Sequence, residues 1–81
     1  MTTEEIKQKF PFGKLYQIVF SIFDDFGALI NDKSVTFPCK ETVFLMLGIE
    51  CNGKYCKITI LFPSGQVGTI SYLYPKEIKM L

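Results

Sequence analysis

The chain has 81 residues, of which 48% are hydrophobic, 21% charged and 15% aromatic, which is one domain's length with enough apolar content to bury a core. Nine lysines and no arginine stand against eight acidic residues, and the net charge of +1 excludes the strongly basic footprint of a dedicated nucleic-acid binder. Histidine and tryptophan are absent, which removes the commonest general base and metal ligand and the best stacking ring, so most enzyme templates are closed.

The opening Met1-Thr2-Thr3-Glu4-Glu5 is acidic and has neither the basic nor the apolar region of a secretory signal. No apolar run approaches the roughly 20 residues of a spanning helix, so a cytoplasmic protein without a membrane segment is expected. Thr2 and Glu5 match a capping box, and a short helix should run from there until Pro11 stops it.

Residues 14–30 carry the first strong pattern. At helical spacing Leu15, Ile18, Val19, Ile22, Phe23, Phe26, Leu29 and Ile30 share one face, with Lys14, Gln17, Ser21, Asp24 and Asp25 opposite. This predicts an amphipathic helix. Tyr16, Ile18, Phe20 and Ile22 also alternate with period two, the competing strand pattern. A turn at Asn31-Asp32-Lys33-Ser34 follows, then a short Val35-Thr36-Phe37 strand that Pro38 confines to a sheet edge.

Residues 42–51, 54–62 and 67–74 read as three strands of an antiparallel meander, joined by Asn52-Gly53 and by Pro63-Ser64-Gly65-Gln66. A two-residue Asn52-Gly53 turn would set Ile49 opposite Cys56, Leu47 opposite Ile58 and Leu45 opposite Ile60. The second hairpin would add Ile70, Tyr72 and Tyr74 to that apolar face. The other face would then show Phe44, Met46, Tyr55, Lys57, Leu61 and Leu73, more apolar surface than a wetted face needs. Either the segments around Ile6, Phe10 and Phe12 and around residues 35–39 cover the surplus, or a partner does.

Chemistry-bearing constellations are sparse. Cys39, Cys51 and Cys56 lack paired C-x-x-C spacing and read as buried free thiols, with a zinc site completed by Asp32, Glu41 or Glu50, or a disulfide, as the lesser alternatives. Asp25-Phe26-Gly27 spells a kinase tripeptide with none of the accompanying kinase motifs, and Gly65-Gln66-Val67-Gly68 is better explained as a hairpin turn than as an RNA-binding loop.

The expected fold is α+β: a short N-terminal helix and one amphipathic helix packed on a three- to four-stranded antiparallel meander, all within a single domain over residues 1–81, with a mostly-β small barrel as the alternative. The expected function is that of a non-enzymatic protein-binding module, without cofactor or metal, using Phe44, Met46, Tyr55, Lys57, Leu61 and Leu73, with a homodimer in view. By size and composition alone it is analogous to phage or viral accessory proteins that inhibit or modulate a host factor in the host cytoplasm by covering its surface. The alternative is a small single-stranded nucleic-acid binder using Lys54, Tyr55, Lys57, Tyr72, Tyr74, Lys76 and Lys79 around the hairpin.

Overall fold

A computed structural model describes residues 3–81. Helix α1 (Thr3–Lys9) is followed by strands β1 (Leu15–Ile18), β2 (Asp25–Ile30), β3 (Lys33–Pro38), β4 (Phe44–Asn52), β5 (Tyr55–Leu61), β6 (Val67–Leu73) and β7 (Ile78–Met80), with a 3-10 turn at Pro75–Glu77. The strands form one antiparallel sheet in the order β3-β2-β6-β5-β4-β1-β7, curled into an open half-barrel. The expected capping box lies outside the described residues, because Thr2 is not among them.

The architecture is mostly β, which overturns the α+β expectation and with it the amphipathic helix over residues 14–30. That stretch divides into β1, a loop and β2. Of the eight residues on the helical stripe only Ile18, Phe26 and Ile30 are buried, whereas Ile22 is 80% and Phe23 61% exposed. Period two wins: Tyr16 and Ile18 point inward from β1, and Phe26, Ala28 and Ile30 from β2. Aromatic and β-branched residues suit a pleated surface, and Gly27 would cost a helix interior about 1 kcal/mol. Asn31 and Asp32 both take positive φ, 52° and 64°, and so form the two-residue type I′ turn joining β2 to β3.

The expected strands of the second half are present, and two bulges change which residues they bury. In β4 the pairing passes from Met46 opposite Ile60 to Gly48 opposite Thr59, leaving Leu47 as an extra residue. Beyond it the strand's alternation is reversed, so Phe44 and Met46 enter the core while Leu47 stays exposed. In β6 the pairing passes from Ile70 opposite Ile58 to Leu73 opposite Cys56, so Ser71 and Tyr72 together face Lys57. Leu73 is thereby buried and Tyr72 is turned outward. The first hairpin also pairs two residues out from the expected register, with Cys51 opposite Cys56 and Gly53-Lys54 as its loop. Gly53 supplies the positive φ, 68°, that this turn requires.

The core fills the concave side of the sheet. Tyr16, Phe44, Met46, Ile58 and Ile60 are essentially inaccessible, each such side chain contributing about 1.5–3 kcal/mol by leaving water. Helix α1 and the residue that follows it seat Ile6 and Phe10 against this core, and the Tyr16 hydroxyl donates to the Pro11 carbonyl at 2.7 Å, which satisfies a buried phenol. Phe37 of β3 stacks on Phe62 at 4.3 Å and on Phe26 at 5.6 Å. The chain's own N-terminal segment and β3 thus cover much of the surplus, although Phe12 stays half-exposed.

Candidate functional site, an exposed tyrosine patch

Of the six residues expected to line a partner surface, Phe44, Met46 and Leu73 are at most 2% exposed and present nothing to a partner. The Leu47 bulge carries the first two inward and the Ser71-Tyr72 bulge carries the third. Tyr55, Lys57 and Leu61 lie on the outer face, Tyr55 and Lys57 exposed and Leu61 half-buried. The same bulge that buries Leu73 brings Tyr72 and Tyr74, which the expected register had placed in the core, to the surface beside Tyr55.

The geometry of this group is specific. Tyr55 begins β5 directly after the hairpin turn, Tyr72 sits in the β6 bulge, and Tyr74 leads into the 3-10 turn. The Tyr55 ring lies 4.9 Å from that of Tyr74 and edge-on, at 5.9 Å, to that of Tyr72. The Tyr55 and Tyr74 hydroxyls share a hydrogen bond of 3.2 Å. The hydrogen bond with Tyr74, then repulsion from it and some desolvation, raise the Tyr55 phenol above its ordinary value of 10.0. Tyr74 is held from behind: its backbone N–H donates to Glu77 Oε1 at 2.9 Å, and its carbonyl accepts from the Glu77 N–H at 2.9 Å. Lys76 places its ammonium 5.7 Å from the centre of the Tyr74 ring.

Tyr72 is the distinctive member. It has φ of 61° and is 80% exposed. A bulky residue in the left-handed region costs roughly 1–2 kcal/mol, which glycine would avoid and asparagine would reduce. Beside it an open groove of about 440 Å³ is lined by Glu50, Asn52, Tyr55, Lys57, Ser71 and Tyr72. Glu50 and Lys57 are cross-strand partners, so the groove's charge is balanced.

Two of the three cysteines depart from the expected free thiols. Cys51 and Cys56 form a disulfide between directly paired residues, which ties the base of the hairpin that presents Tyr55. Cys39 is the free cysteine; burial raises its thiol above the ordinary value, and the carboxylates of Asp25 and Asp24 add to the shift. It is a poor nucleophile there. Among the described residues, no three His, Cys, Asp or Glu side chains come together as a metal site, and no helix is long and apolar enough to cross a membrane. No known protein family, characterised protein or solved structure matches the chain.

Proposed function

We propose that this chain is a non-enzymatic protein-binding module whose contact surface is the Tyr55–Tyr72–Tyr74 patch, acting by covering a surface on its partner. The observation that carries the reading is Tyr72: a large ring held outward at a strained backbone position, where a glycine or asparagine would fit with less cost. Strain kept at an exposed residue points to use rather than to stability. Tyrosines suit the role because each offers an apolar face and a hydroxyl at low conformational cost, and they are enriched at binding hot spots. Balanced charge at Glu50 and Lys57 fits a protein partner better than a polyanion, which would call for a row of unopposed cations. The buried, protonated Cys39 and the absence of histidine support the non-enzymatic reading. The Cys51–Cys56 bond favours an oxidising compartment and weighs against the expected cytoplasmic one.

Paired capture experiments with the wild-type chain and Tyr72→Gly test this. A protein retained by the wild type and lost, by at least tenfold, with Tyr72→Gly is the expected result. If instead single-stranded DNA is retained at low salt, and that retention falls with salt and with Lys57→Ala, the patch is a nucleic-acid platform and the protein reading is wrong.

A further inference from the structure

Among the described residues the sheet ends at β3 and at β7, and the two edges are built differently. The β7 edge is three residues long, whereas β3 runs for six and is exposed along its whole length except at Phe37. The Cys39 N–H donates to the Asp24 carbonyl at 2.7 Å, which places residues 24 and 39 at a hydrogen-bonding position of the antiparallel ladder. Strict alternation from there makes Phe26 with Phe37, Ala28 with Val35 and Ile30 with Lys33 the other bonded pairs. Ser34 and Thr36 therefore turn their N–H and C=O groups away from β2, toward the open edge. Natural edges are guarded by charge, proline or shortness, and β3 carries only Lys33 at one end and Pro38 at the other.

We propose that β3 pairs antiparallel with β3 of a second copy, centred on Val35, joining the two sheets into one. This surface is separate from the tyrosine patch, so either proposal can fail without the other. The register is self-complementary. With Val35 on the two-fold axis, Ser34 bonds both ways with Thr36 of the second copy, and Thr36 with its Ser34, so the open groups of both residues are satisfied. The side chains agree. Val35, 37% exposed because its edge is bare, meets its own counterpart on the core side, and the hydroxyls of Ser34 and Thr36 meet on the outer side. Charge agrees too: Lys33, the only charged residue of the strand, falls opposite Phe37 of the second copy and about 13 Å along the strand from the other Lys33. Pro38, which has no N–H to offer, lies at the end of the pairing, where its loss costs least.

Sedimentation of the wild type, Val35→Lys, Val35→Glu and an equal mixture of the two variants tests this, with circular dichroism as the check on folding. The wild type should dimerise with rising concentration, each variant alone should dimerise roughly tenfold more weakly because like charges meet on the axis, and the mixture should recover. A wild type that stays monomeric at every concentration overturns the proposal, as does a dimer that both variants leave intact. Should the variants not fold, amide exchange of the wild type decides: Ser34 and Thr36 must gain protection as concentration rises, and unchanged exchange at both contradicts the pairing.

Discussion

Met46 and Leu61 show how much hangs on single positions. Both were expected on the second sheet face as part of a partner surface, and the structure separates them: Met46 is 1% exposed, and Leu61 is half-buried on the outer face. Met46→Lys would put an unpaired ammonium into the core at a cost of about 3–5 kcal/mol, a large part of a small domain's stability. Leu61→Lys can reach water and should cost about 1 kcal/mol or less. Chemical denaturation of the two variants should show the first unfolded or severely destabilised and the second close to the wild type. Gly68 is a further constraint, for a Cβ there would come within 2.8 Å of Phe62 Cε2 and 3.4 Å of Ile30. Phe62 is itself held in its stack on Phe37. Gly68→Ala should therefore lower stability by about 1–3 kcal/mol in the same assay, and a neutral result would mean that the Phe62 ring gives way freely.

At the scale of elements, the strands were legible where period two ran unbroken and turn residues marked the ends. The β3 edge with its terminal proline and the three long strands of the second half follow from those signals, and α1 ends ahead of Pro11, where it was expected to stop. The β1–β2 region was not, because Ile18, Phe26 and Ile30 fall on one face under either periodicity, and the exposed Ile22 and Phe23 of the intervening loop completed a helical stripe. The bulges were not legible either. Leu47 is an apolar residue in an apolar run, and Tyr72 is a residue type that seldom takes a left-handed backbone, so nothing in the sequence announces a change of face at either place. The candidate site shared that fate: Tyr55 and Lys57 could be placed on the outer face, but uninterrupted alternation through Tyr72 hid the other two tyrosines in the core. The bulge has its own energetic signature. Tyr72→Gly relieves the left-handed strain while losing the ring contact with Tyr55, so thermal unfolding should show a midpoint equal to the wild type's or higher, by an amount worth up to about 1 kcal/mol. A clear drop would mean that the ring stabilises the fold and is not kept for a partner.

For the molecule as a whole, the two bulges decide which residues fill the concave side under α1 and which form the tyrosine patch near the first hairpin, while the strand order leaves β3 as a bare edge. The four tyrosines report on this arrangement at once. Their exposures are 80% for Tyr72, 42% for Tyr55, 38% for Tyr74 and 0% for Tyr16. Nitration of the native chain, followed by peptide mass spectrometry, reads each ring's accessibility directly. Modification is expected at Tyr72 first, then at Tyr55 and Tyr74, with Tyr16 untouched until the chain unfolds. Protection of Tyr72 and Tyr74 in the native chain would restore the unbulged register, return both rings to the core, and remove the surface on which the proposed function depends.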